Sequence, residues 1–165
     1  GTLDDAFPGQ PILDAAGVMG QIVHAGPYTS TAILISDTSH AIPVQVNRNG
    51  LRSIAIGSGT INRLELPYIP NNSDILPGDL LVTSGLGGRF PPGYPVATVG
   101  AVQHDPGRSF AQVMAEPLAQ LNQSREVLLV WPAEITVLEP TAPADTEAVI
   151  TEPVEAAIDV PGGTP

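Results

Sequence analysis

The sequence predicts an all-β fold: two small β subdomains packed together and followed by a disordered acidic tail. Three observations carry this reading. Nine short segments rich in valine, isoleucine and threonine recur at roughly ten- to fifteen-residue intervals, as in barrels or sandwiches. Only one short stretch suits a helix, so the crossover helices that parallel sheets require are missing. The composition also changes abruptly at Ala133, where basic residues stop.

The chain opens with residues 1–13, read as a loop or linker, with Leu3–Pro11 irregular. Gly1-Thr2 carries neither an initiator methionine nor a basic-then-apolar leader. That suits a segment already removed, or a domain of a longer protein. Residues 14–68 form the first expected subdomain. Its strands are Val18–Ala25, Thr31–Ser36, His40–Val46, Leu51–Ile56 and Ile61–Tyr68. β-Branched side chains in these runs suit a pleated, packed surface. Asn49-Gly50 predicts a tight hairpin turn with positive φ. The run Pro67–Pro77, rich in proline and amide residues, separates the halves.

Residues 69–132 form the second expected subdomain, with strands sharable between the two. Its strands are Asp79–Ser84, Tyr94–Val102, Ser109–Ala115 and Glu126–Trp131. Asp105-Pro106-Gly107 predicts a turn in which proline presets φ and glycine takes the left-handed position. Leu76-Pro77-Gly78-Asp79 reads similarly. The one helical expectation is Pro117–Ser124, with Pro117 opening the turn and Leu118 and Leu121 facing the core. Neither half alone buries much core, so each gains by packing on the other or on a second chain.

The chain has 165 residues and a formal net charge of -11, with no cysteine and no lysine. Disulfides, cysteine-bound metals, thiol nucleophiles, Schiff bases and lysine-dependent phosphate loops are thereby excluded. No apolar run approaches the roughly 20 residues that span a bilayer. The charge repels phosphate backbones, so nucleic acid is not an expected partner. Residues 133–165 hold seven carboxylates, no basic residue and repeated prolines, and read as a disordered acidic tail. The first 132 residues carry ten carboxylates and six arginines, a net charge of -4.

Chemistry-bearing constellations are sparse. His40, Asp79 and Ser84 stand in the chain order base, orienting acid, nucleophile, which suggests a chymotrypsin-like serine hydrolase. Only five positions separate Asp79 from Ser84, a compressed arrangement. His24, His40 and His104 are single and widely spaced, so no metal site is expected. Nor is any cofactor. Gly85, Gly87, Gly88, Arg89, Phe90, Pro92 and Gly93 form the densest motif, read as a structural turn or an interface. Arg89 beside Phe90 suits an interface anchor. Arg48, Arg52 and Arg63 are expected to serve self-association by pairing with carboxylates of a second copy. Tyr28, Tyr68, Tyr94 and Trp131 are the aromatics available for direct binding of a wall polymer.

Several stretches together resemble the periplasmic region of the rod shape-determining protein MreC family. They include Gly17–Val23, Ala32–Asp37, Ile42–Val46 with Arg48 and Gly50, and Arg125–Val130. The strongest likeness runs from Gly78-Asp79 through Thr83-Ser84-Gly85 and Phe90-Pro91-Pro92-Gly93 to Val96. The resemblance spans residues 14 to 132. It implies two β-barrel subdomains of six-stranded type without a catalytic triad. It also implies a non-enzymatic scaffold of the cell-elongation complex, on the periplasmic face of the inner membrane. Full-length members carry a single membrane helix and a coiled coil, both missing here, so this piece is expected to be soluble. The implied partners are further copies, as dimer or filament, a class B penicillin-binding transpeptidase, and other rod-complex membrane proteins.

Overall fold

The structure, a computed structural model, describes residues 1–131. The expected tail over 133–165 lies outside the described residues. Ten strands follow a 3-10 turn at Thr2–Asp4: β1 Pro11–Leu13, β2 Val18–Ala25, β3 Ser30–Leu34, β4 Ala41–Val46, β5 Arg52–Gly57, β6 Leu64–Pro70, β7 Leu80–Thr83, β8 Pro95–Gln103, β9 Phe110–Pro117 and β10 Leu128–Leu129. All nine expected strands have a counterpart. β1 is additional, at the end of the stretch expected to be irregular. Its three residues are too few to show alternation.

The architecture corrects the expectation of two six-stranded barrels. Strands β4-β5-β6-β9-β8-β7 close into one barrel, while β10-β1-β2-β3 form an open four-stranded sheet. β6 pairs with β5 on one side and with β9 on the other, so the barrel draws strands from both sides of the Pro67–Pro77 run. All six strands from Ala41 to Pro117 go into that closure. Three N-terminal strands and the two residues of β10 are left, and they do not close. The helical turn expected over Pro117–Ser124 is also corrected. β9 runs through Pro117, and Ser124 N–H bonds Gln120 O in a single turn.

Alternation fixes which faces turn inward. Ile42, Val44 and Val46 of β4, Leu64, Leu66 and Ile69 of β6, and Val113 and Ala115 of β9 are all buried. Leu13 and Val18 of the open sheet join this same cluster, so the sheet packs on the barrel. A second cluster, of Ala6, Ile12, Met19, Ile22 and Ala119, covers another part of the sheet.

Two connections matter for the site. Residues 71–79 join β6 to β7 and bury Ile75 in the barrel core. Residues 84–94 join β7 to β8 and contain the glycine-rich run. The Asn49-Gly50 turn closes as expected, with Gly50 at φ 72°. The Asp105–Gly107 turn differs: Gly107 is absent from the positive-φ residues, and the Asp105 carboxylate accepts Gly107 N–H at 2.9 Å instead. That side-chain bond does locally what a left-handed glycine was expected to do.

Candidate functional site

The glycine-rich loop is built around one buried side chain. Phe90 is 3% exposed, whereas Leu86, Gly87, Gly88 and Arg89 face solvent. Gly85, Gly87, Gly88 and Gly93 all have positive φ, from 67° to 91°. At Gly85 (φ 78°) a Cβ would also sit 3.1 Å from the Pro92 ring. Thr83 holds the far end: its hydroxyl donates to Pro91 O at 2.5 Å and accepts Tyr94 N–H at 2.9 Å. Gly93 N–H adds a bond to Thr83 O. Between this loop and the N-terminal segment lies a cavity of about 440 Å³, lined by Phe7, Pro8, Pro11, Ile22 and Arg89 among others.

Phe90 packs edge-on against His40, with ring centroids 6.1 Å apart. His40 is 4% exposed, and neither ring nitrogen has a hydrogen-bond partner among the described residues. Burial pushes its pKa down, against the attraction of Asp37. Asp37 itself bonds Ser39 through that residue's hydroxyl and N–H, which hold its carboxyl below the usual range.

His40, Asp79 and Ser84 are not linked as a triad. Asp79 is committed to Arg48, and Ser84 Oγ accepts the Leu86 N–H at 3.3 Å. Among the described residues, no three His, Cys, Asp or Glu side chains group to hold a metal.

Arg48 is the centre of an ion-pair cluster. Its Nε and Nη2 bond both Asp79 oxygens at 2.9 and 3.0 Å. Its Nη1 and Nη2 bond Asp74 at 2.8 and 3.1 Å. Hydrogen bonds from Arg48 lower the pKa of both carboxyls, and these contacts raise that of the guanidinium. Asp79 also accepts Leu76 N–H. Arg48 is thus engaged within its own chain, pinning residues 71–79. Arg52 starts β5 and Arg63 precedes β6 at the other end of that strand, so the structure does not gather the three arginines. Arg52, Arg63 and Arg89 have no carboxylate partner among the described residues.

The four aromatics also separate. Tyr28, Tyr68 and Trp131 are exposed, but Tyr94 packs partly buried on the core. Tyr68 meets Phe110 edge-on at 6.2 Å beside a groove between β6 and β9.

The sequence assigns no role to Asp14, and to Thr83 only a place in a strand and in the Thr83-Ser84-Gly85 likeness. Asp14 is 9% exposed and accepts four hydrogen bonds, two of them from residues over 100 positions away. Its local half was legible in Asp14-Ala15-Ala16-Gly17, where a carboxylate caps the amides of a turn.

Fold and site together define a class: an all-β barrel domain in which Asp14, Arg48 and Thr83 hold the connecting segments in place. Residues 1–131 match the family described as rod shape-determining protein MreC, barrel core. The chain belongs to that family. It is 51% identical over 137 residues to the cell shape-determining protein MreC of Haemophilus influenzae, covering 83% of this chain and 39% of that protein. With the Escherichia coli protein of the same description it shares 44% over 152 residues, covering 92% and 41%. The crystal structure of MreC from Pseudomonas aeruginosa superposes with a TM-score of 0.77 at 60% identity, over 79% of this chain and 84% of that one. The chain therefore spans about 40% of the length of these two curated relatives.

Proposed function

We propose that this chain is the periplasmic, non-enzymatic scaffold portion of a rod-shape protein. It holds peptidoglycan-synthesising enzymes in register beside the inner membrane. The observation that carries this reading is the match of residues 1–131 to the family's barrel core. No helix among the described residues is long and apolar enough to cross a membrane.

The proposed partners are a class B penicillin-binding transpeptidase, other rod-complex membrane proteins and further copies of the chain. A solved structure described as a complex between penicillin-binding protein (PBP2) and MreC from Helicobacter pylori shares the fold, with a TM-score of 0.59 at 22% identity. That makes the cognate transpeptidase the partner to test. Exposed Arg89 and Leu86 on the glycine-rich loop, with Arg52 and Arg63 on the barrel, are the proposed contacts. Arg48 is not among them, because its guanidinium already bonds Asp74 and Asp79. The open sheet leaves β3 as an edge strand, and an edge can accept a strand from another chain.

Co-purification with the cognate transpeptidase, followed by interface mapping, tests the reading. Retention that weakens on Arg89→Ala or Leu86→Ser supports it. No retention at micromolar concentrations counts against it. Analytical ultracentrifugation with and without residues 133–165 tests self-association, and a monomer at every concentration counts against that part.

A further inference from the structure

We propose that His40 is a proton-operated latch: protonation of its buried ring releases the Gly85–Gly93 loop from the barrel. The inference concerns the loop itself and holds whichever partner the scaffold binds.

Four observations converge on it. His40 sits just before β4, is 4% exposed, and leaves both ring nitrogens without a partner among the described residues. Its ring packs edge-on against Phe90 at an interplanar angle of 83°. Phe90 is the one buried side chain between Gly85 and Gly93 and belongs to the barrel core cluster, so it is the loop's apolar hold, and the His40 ring is part of the surface it packs on. The four glycines of positive φ give the loop a backbone that tolerates rearrangement.

A neutral imidazole suits this apolar packing. An imidazolium has two N–H donors and a full charge, and a buried charge without partners is costly. Asp37, in its own turn, is the charged group that acts on it, and that carboxylate is already bonded to Ser39. β5 presents the glycine Gly57 beside the His40 backbone, and β7 ends in the neutral Thr83, followed by Ser84. The loop contributes Arg89, which is exposed and of like charge. Among the described residues, Asp37 therefore attracts the charge from its own turn, but no group hydrogen-bonds either ring nitrogen. Relief comes from water, and water reaches the ring when Phe90 withdraws.

The sign follows from linkage. Burial depresses the ring's affinity for protons in the closed state, while an opened loop exposes an ordinary imidazole of pKa about 6.5. Below that value the open state binds more protons. The open-to-closed ratio then rises about tenfold per pH unit until the closed-state ring itself titrates.

The test is amide hydrogen exchange by NMR on the 165-residue chain between pH 7.5 and 5, corrected for intrinsic exchange, with the three histidine rings titrated in the same samples. The expected result is faster exchange confined to residues 85–93, with a midpoint matching His40 and not the exposed His24 or His104. His40→Leu and His40→Gln should abolish the pH response. A pH-independent loop overturns the proposal, as does a response that survives in either variant. If neither variant folds, the wild-type midpoints decide: loop amides that follow any ring other than His40 overturn it.

Discussion

The carboxylate of Asp14 accepts the backbone N–H of Gln120 at 2.7 Å, joining positions 106 residues apart. The same oxygen takes the Ser124 hydroxyl at 2.8 Å, while the other caps the N–H groups of Ala16 and Gly17. Asp14 directly follows β1, which pairs with β10 through Ile12–Leu129 and Leu13–Leu128. One side chain thus shapes the β1–β2 turn and fastens the segment that leads from the barrel back to the open sheet.

Asp14→Ala should destabilise the fold by about 2–3 kcal/mol, because it strands buried N–H groups as well as removing charge-assisted bonds. Burial alone would raise the Asp14 pKa, but the bonds from Gln120, Ala16, Ser124 and Gly17 outweigh it and the net shift is downward. A lowered carboxyl contributes stability above its unfolded value of about 3.9 and loses it as pH falls through the folded one. Urea denaturation of wild type and Asp14→Asn at pH 7 and pH 3 checks this. The gap between them should be wider at pH 7 than at pH 3.

Arg48→Ala should loosen residues 71–79 while leaving the barrel strands intact. Arg48 bonds Asp74 and Asp79 from both edges of its guanidinium, and Asn49 adds a bond to Asp74 O at 2.6 Å. Arg48→Lys should restore little, since an ammonium lacks the planar fork that engages two carboxylates at once. Amide exchange across residues 71–79 is the measurement. Because Asp74 is well exposed, added salt should reproduce part of the effect in wild type.

The sequence revealed strands where β-branched runs met turn residues, which is why every expected strand has a counterpart. Closure was not legible. Whether β6 pairs with β9 or starts a second sheet depends on contacts between residues such as Leu64 and Ala115, far apart in sequence. The Pro67–Pro77 run looked like a boundary because proline usually interrupts pairing. Pro67 and Tyr68 instead occupy a register shift in the β6–β9 ladder, where a missing N–H is tolerated. Nothing in the spacing of Arg48 and Asp79 indicates that they meet. Phe90 stands in a motif that reads as a structural turn or an interface, with Arg89 as the anchor. Its burial became visible only with His40 packed against it.

Two glycine substitutions should behave differently. Gly57→Ala places a Cβ against the backbone of Ser36 and Asp37, which cannot move aside like a side chain tip. A cost of about 3 kcal/mol is expected for such overpacking. Gly87→Ala meets open space and suffers only from its φ of 77°, for about 1 kcal/mol. Thermal unfolding of both variants checks the order, and equal losses would contradict the close approach at Gly57.

Thr83→Val should cost about 2 kcal/mol although it preserves shape and adds apolar surface. Thr83 is fully buried, and its hydroxyl is both donor to Pro91 O and acceptor for Tyr94 N–H. Valine would leave both backbone groups unpaired across the base of the glycine-rich loop. Thr83→Ser should keep the two bonds and lose only the methyl contact, for about 1 kcal/mol. Equilibrium unfolding ranks the variants, and amide exchange at Gly93 and Tyr94 locates the damage. A valine variant as stable as wild type would mean that the two Thr83 hydroxyl bonds add nothing net to holding the loop.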